Sequence, residues 1–235
     1  MRINVYISST GFCSRREADR LIKTGRVNVD GVMATIGMDI VEGSTIFIDE
    51  KPIKTKPKTV YLAFNKPEGI ESTTDQTKKN NIIDYIGFPE RIFPIGRLDK
   101  DTSGLILLTN DGMIVNQILR SENEHEKEYL VEVDHAYDHQ FINQMESGVF
   151  IYNPVRHETV KTKSAKIYRV SEVSFRIIIT QGMNLQIRRM CSSLGYRVIR
   201  LKRQRIINIE LGNLEIGNWR HLTEQEMTEL LEHVH

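Results

Sequence analysis

The chain has 235 residues and a mass of 27.2 kDa, enough for one large domain, or a small one and a medium one, and for a sizeable core either way. Hydrophobic residues make up 40% and charged residues 27%, with 15 Gly and 6 Pro, which excludes collagen-like, coiled-coil and broadly disordered chains. Lys plus Arg number 32 against 31 Asp plus Glu, a formal charge of +1, so the whole-chain charge points to no partner.

Residues 14–24 read as a short helix. Ser14 and Glu17 make an S-x-x-E capping box, Ala18, Leu21 and Ile22 an apolar face, and Gly25 the stop. Residues 26–29, the turn Asp30-Gly31, residues 45–48 and a turn over 49–51 predict small strands. A compact α-then-β domain is expected over 1–53. The charged stretch 54–59, with Pro57 and no apolar anchor, reads as a linker to a second domain over 60–235.

In the second domain, longer strands are predicted over 60–64, 105–108, 129–133, 165–170 and 175–180. The segments 165–170 and 175–180 flank a short polar turn, which favours antiparallel pairing. Helices are predicted over 138–147, with Phe141, Ile142 and Met145 on one side, and over 184–194, with Ile187, Met190, Cys191 and Leu194 at i, i+3, i+4 and i+7. A last helix opens at Thr223, where Glu226 completes a second capping box. The fold class is α+β, with a mixed, largely antiparallel second domain. Neither solenoid repeats nor low-complexity tracts occur.

Charge is distributed unevenly. Residues 156–205 hold 13 Lys and Arg against the two acids Glu158 and Glu172, while acids gather over 122–146 and 224–232. Such a basic stripe is an electrostatic footprint for a phosphate backbone. The competing reading is a solvated β-surface whose arginines pair with acids from other segments. Cys13 and Cys191 have no CxxC partner and read as buried thiols, and His233 and His235 as an exposed tail. The expected address is the cytoplasm, without membrane association, since no stretch suits a membrane span or signal peptide. Walker A, G-x-G-x-x-G, G-x-S-x-G and H-E-x-x-H motifs are absent, so ATP, dinucleotide, triad-hydrolase and zincin chemistry lose support.

The densest signal spans residues 93–112. Gly96 and Arg97 precede Asp99, polar turn residues follow, and then the apolar run Leu105-Ile-Leu-Leu108 begins, which places Asp99 on a loop pinned to a buried sheet. Asp101 and Asp111 offer a paired-carboxylate alternative of the glycosidase type, although Asp111 lies in an Asn-Asp-Gly turn signature. On pattern alone, a turn-stabilising role for Asp99 is as good as a catalytic one.

The stretch Gly96-Arg-Leu-Asp-Lys-Asp-Thr-Ser-Gly104 with its following strand resembles the signature of RsuA-type pseudouridine synthases, which modify uridines in ribosomal RNA. Phe64-Asn-Lys-Pro-Glu-Gly69, Lys127-Glu-Tyr-Leu-Val131, Gly182-Met-Asn-Leu-Gln-Ile-Arg-Arg-Met190 and Leu201-Lys-Arg203 are similar to further motifs of that family, in the same order. Residues 1–53, above all Gly11-Phe-Cys-Ser-Arg-Arg-Glu-Ala-Asp19, resemble an S4-type RNA-binding domain. Cys13 in that context, His125-Glu-Lys-Glu-Tyr129 and Arg205-Ile-Ile-Asn208 look most like the large-subunit synthase F branch. One departure is Leu185, where the family usually has Arg or His, so an RNA contact from this position is not implied.

The resemblance implies an isomerase with a central catalytic cleft and no cofactor or metal. Its substrate would be ribosomal RNA, 23S by the branch, with transfer RNA as a second candidate. Asp99 would be the nucleophile at C1′ or C6 of the target uridine, or a base at C2′, and Arg188 its ion-pair partner. Tyr129 would stack on the uracil, and Arg97 would fill the space left by the extruded nucleotide. Contacts to the RNA backbone are expected from Arg2, Arg15, Arg16, Arg20, Lys23 and Arg26 around the first helix, and from Arg189, Arg200, Arg203 and Arg205. A monomer is expected. The rival from another class is a non-catalytic S4-type binder acting in ribosome assembly. A third reading, an RNA glycosidase, would admit water to the same carboxylate and release free base.

Overall fold

The computed structural model describes residues 1–41, 43–54, 57–119, 124–154 and 157–234. Two compact units form. One comprises Met1–Val60 with the short segments Pro89–Ile92 and Asn110–Gly112; the other comprises Tyr61–Phe88, Phe93–Thr109 and Met113–His235. The short segments join the first unit through specific bonds. Asn110 accepts from Val60 N and donates to Lys58 O, each at 2.9 Å, and Arg91 Nη1 donates to Cys13 O at 3.1 Å. Thr55 and Lys56 of the expected linker lie outside the described residues.

The first unit contains α1 (Ile3–Ser9), α2 (Arg15–Lys23), β1 (Val27–Val29), β2 (Val32–Met33), β3 (Ile46–Ile48) and β4 (Lys51–Pro52), its strands forming an antiparallel sheet in the order β2-β1-β3-β4. Ile3 and Ile7 of α1 join Ala18, Leu21 and Ile22 of α2 and the inward Val27, Val29, Ile46 and Ile48 in one core. Ser14 caps α2 by accepting from Glu17 N at 3.1 Å. The reciprocal half of the box does not form, because the Glu17 carboxylate turns to Arg20.

The second unit follows as β5 (Tyr61–Lys66), α3 (Ile82–Ile86), β6 (Phe93–Ile95), β7 (Ser103–Thr109), α4 (Ile114–Leu119), β8 (Lys127–Val133), α5 (His139–Ser147), β9 (Phe150–Asn153), β10 (Glu158–Lys161), β11 (Lys166–Arg169) and β12 (Ser174–Ile179). It closes with α6 (Gln186–Ser193), β13 (Val198–Ile206), β14 (Ile209–Glu210), β15 (Trp219–His221) and α7 (Glu224–Val234). The main sheet runs β11-β12-β8-β13-β7-β5-β15, with β6 paired to β7 and β14 to β13. Every neighbouring pair is antiparallel except β13 and β7, which run parallel with Arg203 opposite Gly104. Gly104 has φ +100°, and a Cβ there would stand 2.2 Å from the Arg203 carbonyl oxygen. The central parallel contact therefore requires glycine at this position.

β7 is buried along its whole length. Leu105 and Leu107 join Ile114 and Ile118 of α4, Ile206, Ile209 and Leu230 of α7 in one apolar cluster. α5 starts with Asp138 accepting from Phe141 N at 2.8 Å, and Phe141 packs on Phe175 and Tyr196. The capping box of α7 is complete, with Glu226 N donating to Thr223 Oγ1 at 3.1 Å and Thr223 N to Glu226 Oε2 at 2.8 Å. No helix among the described residues is long and apolar enough to cross a membrane.

Candidate active site

A cleft of about 630 Å³ opens in the second unit, within the range of small-molecule sites. Its lining includes Arg97, Asp99 and Thr102 from the loop before β7, Lys127 and Tyr129 from β8, Met183 to Ile187 at the start of α6, and Leu201, Arg203 and Ile206 from β13. A shallower depression of about 500 Å³ beside α5 and α6 is lined by Gln140, Asn143, Gln144 and neighbours and carries no titratable side chain.

The loop bearing Asp99 is tied down residue by residue. Ser72 Oγ accepts from Leu98 N at 3.1 Å and donates to Leu98 O at 2.9 Å. Gly69 N donates to Lys100 O at 2.9 Å, Arg188 Nη2 to Asp101 O at 2.6 Å, and Thr102 N to Asp99 O at 3.1 Å. Beneath it Lys66 is fully buried, and its ammonium donates to Pro67 O and Ile70 O, each at 2.8 Å, and to Lys100 O at 3.4 Å. Burial pushes this lysine down to about 8, against the opposing pull of the Glu68, Asp101 and Asp99 carboxylates. The backbone that carries Asp99 is thus held in place before any ligand arrives.

The Asp99 carboxylate itself has no hydrogen bond or ion pair among the described residues. The pair expected with Arg188 does not form, because the Arg188 guanidinium is committed to two carbonyls, Asp101 O and Val198 O. The arginine facing the cleft is Arg203. At 4% exposure it donates from Nε to Leu105 O at 2.7 Å and from Nη1 to Tyr129 Oη at 3.4 Å, with its Cζ 5.9 Å from the Tyr129 ring centroid. Its Nη2, the Thr102 hydroxyl and Arg188 Nε are buried without a hydrogen-bond partner among the described residues. This corrects the expectation for Arg203, whose burial removes it from any phosphate-backbone surface. Arg97 is exposed at the cleft and has no side-chain partner among the described residues, and Leu185 enters α6 in the left-handed region at φ 52°.

The basic stripe reads differently in three dimensions. β8 lies between β12 and β13, and the acids on it and just before it meet basic side chains of β11, β12 and β13. Arg205 pairs with Glu126 at 2.9 Å and Glu128 at 3.3 Å, Lys166 with Glu126 at 2.8 Å, Arg176 with Glu128 at 3.1 Å and Arg200 with Glu132 at 3.6 Å. Arg189 bonds Tyr152 O and Asn184 Oδ1. Arg205 is thus committed to two carboxylates, whereas the Arg200 side chain is 76% exposed beside Glu132 and remains open to a phosphate; Arg156 lies outside the described residues. In the first unit Arg2 bonds Gly37 O and faces Asp39, Arg20 pairs with Glu17, and Arg26 with Asp49. Arg15, Arg16 and Lys23 are exposed with no side-chain partner among the described residues.

Of the two thiols, Cys191 is fully buried and pushed up to about 12, whereas Cys13 is only partly buried, short of the burial expected for it. His233 is exposed within α7, and His235 lies outside the described residues. Among the described residues no three His, Cys, Asp or Glu side chains converge as metal ligands. Sequence reasoning missed Lys66, Ser72, Thr102 and Lys127. Lys66, Thr102 and Lys127 lie inside the motifs that carry the resemblance, and Lys66 also follows the apolar run Tyr61-Leu-Ala-Phe64 on a strand whose covered faces leave it no route to water.

A carboxylate on a pinned loop, an aromatic ring and a buried guanidinium around one cleft are the parts of an enzyme site, which comparison with known proteins makes specific. Residues 60–193 match the RNA pseudouridylate synthase family and residues 1–46 the S4 domain. The dual-specificity RNA pseudouridine synthase RluF of Salmonella typhi is 47% identical over 97% of this chain and 78% of its own length. The ribosomal large subunit pseudouridine synthase B of Bacillus subtilis is 34% identical over 97% of this chain and 95% of its own. A crystal structure of a pseudouridylate synthase superposes with a TM-score of 0.70 at 27% identity, covering 98% of this chain and 99% of that one. The chain belongs to the RNA pseudouridylate synthase family, with an N-terminal S4 domain; it is an isomerase that acts on RNA.

Proposed function

We propose that this enzyme converts a uridine of large-subunit ribosomal RNA to pseudouridine in the cytoplasm, acting as a monomer, with the S4-type domain over 1–53 docking the RNA. The reading of substrate rests on the relatives, one of which is named for the ribosomal large subunit; another is named for dual specificity, and transfer RNA, the second candidate of the sequence reading, is the second substrate to test. The reaction breaks C1′–N1 and forms C1′–C5, the C5 proton leaves to solvent and N1 gains one. Atoms and electrons balance without an external oxidant, reductant or group donor.

The observation that carries the reading is Asp99, a carboxylate without a protein cation bonded to it, fixed in a cleft. In a purely RNA-binding protein it would repel phosphate and serve nothing. Here it acts on the extruded uridine as nucleophile or base. Tyr129, oriented by Arg203 Nη1, forms the wall on which the uracil rests, and Arg97 at the rim takes the place of the extruded base. Arg188 works at one remove, holding the loop through Asp101 O. The test is product analysis. After EDTA dialysis the enzyme should convert uridine in a large-subunit rRNA transcript to pseudouridine at unchanged mass, with no free uracil. Release of uracil, or a strict requirement for metal or nucleotide, would refute the reading.

A further inference from the structure

The inward row of β8 is Lys127, Tyr129, Val131 and Val133, of which the last three are buried. Lys127 stands where that row calls for an apolar side chain, and its register partners on the adjoining strands are Ile179 and Ile206, exposed 4% and 3%. Its ammonium makes one hydrogen bond, to His125 O at 3.0 Å, and no ion pair with a carboxylate among the described residues. Burial pushes it down to about 8, and the neighbouring Arg203 charge pushes the same way. This contrasts with the outward face of the same strand, where Glu128 and Glu132 hold arginines. A cation kept half-buried at net cost, lining a cleft with spare donors, calls for an anionic ligand. Asp99 is not bonded to it, since the Lys127 ammonium has no carboxylate partner among the described residues. The uracil ring and ribose of a uridine are neutral, which leaves its phosphate.

We propose that Lys127 binds the phosphate of the extruded target nucleotide, making it a substrate-contacting residue of the cleft. This rests on the reading of the cleft as the uridine site. The clamp sets the depth to which the nucleotide enters, with the uracil against Tyr129 two positions along the same strand face. The interaction is made alike by bound substrate and transition state, so it should govern KM more than kcat.

The probes are uridine, uridine 5′-monophosphate and uridine 3′-monophosphate, titrated into the full-length protein and followed by the NMR signals of labelled tyrosine and lysine. One monophosphate should bind wild type at least about tenfold more tightly than uridine. Lys127→Met should bring that ratio to about one with uridine affinity unchanged, and Lys127→Arg should keep it. With a large-subunit rRNA transcript bearing 5-tritiated uridine, Lys127→Met should raise KM about tenfold and leave kcat within threefold. The thermal midpoint of Lys127→Met should equal or exceed that of wild type, because methionine suits the apolar row. Undiminished phosphate preference in Lys127→Met, or an unchanged KM, overturns the proposal while wild-type turnover keeps the isomerase reading intact. Absence of tritium release from wild type would instead strike that reading itself.

Discussion

Gly104→Ala probes the one place where the sheet's central contact depends on a single atom. The added Cβ would stand 2.2 Å from Arg203 O, 2.7 Å from its N and 3.0 Å from its C, all backbone atoms that cannot rotate away. Ordinary contact begins near 3.4 Å, so β7 and β13 must part by about 1 Å. Overpacking of this kind costs about 1–3 kcal/mol, and forcing alanine to φ +100° about 1–3 kcal/mol more. The sum, about 2–6 kcal/mol, is a large share of the roughly 5–15 kcal/mol that hold a domain folded. Urea unfolding followed by circular dichroism should show the midpoint falling without a change in slope. Parting β13 from β7 also stretches the bond from Arg203 Nε to Leu105 O and unseats the guanidinium beside Tyr129, so the folded fraction should lose turnover. Gly182→Ala is the control for stability alone, since it lines the cleft but would meet no atom within 4 Å and has no left-handed φ. A Gly104→Ala protein within 1 kcal/mol of wild type and equally active would refute the close-approach argument.

Arg188→Met should lower the single-turnover rate by about 10- to 100-fold with RNA affinity nearly unchanged, since releasing Asp101 O loosens the loop on which Asp99 sits; an unaltered rate contradicts this. Salt titrations of RNA binding should separate two groups of arginines. Arg205→Gln, already paired with Glu126 and Glu128, should leave the salt slope unchanged, whereas Arg15→Gln and Arg16→Gln should each reduce it by about 0.7. Lys66, lowered to about 8 in the folded protein against 10.5 for an exposed lysine, binds fewer protons folded than unfolded between those values. Its contribution should therefore make stability rise as pH increases from about 8 to 10.5, and that rise is lost as pH falls through 8. Lys66→Met should flatten the difference in urea unfolding free energy between pH 7.5 and 10, and an identical slope in both proteins would contradict the burial argument.

What the sequence made legible was local. The Ser14 and Thr223 caps, the apolar face of α6 and the antiparallel pairing of β11 with β12 each rest on residues within a few positions of one another. α1 escaped because Arg2 supplies no side-chain cap and its only apolar signal is Ile3 with Ile7, meaningful once α2 lies against them. The electrostatics of β13 were illegible for a longer-range reason. Arg200 and Arg205 look like free cations until β8, more than 60 residues earlier, brings Glu132, Glu126 and Glu128 alongside. Arg203 lies between them in sequence yet is buried on the face of Leu201, because a register shift between Arg203 and Arg205 turns Arg205 the other way. Asp99, Tyr129 and Arg97 line one cleft, while Arg188 and Arg203 hold bonding partners that only the tertiary register reveals.

The central claim is that Asp99 performs the chemistry in a site already assembled around it. Its most direct test is the single-turnover rate of Asp99→Asn on large-subunit rRNA labelled with tritium at uridine C5, with enzyme in saturating excess and RNA binding measured in parallel. The amide preserves the side chain's shape but provides no anion. The account predicts no tritium release and no pseudouridine over many wild-type half-lives, with RNA affinity within threefold of wild type. Turnover by Asp99→Asn within tenfold of wild type would contradict it.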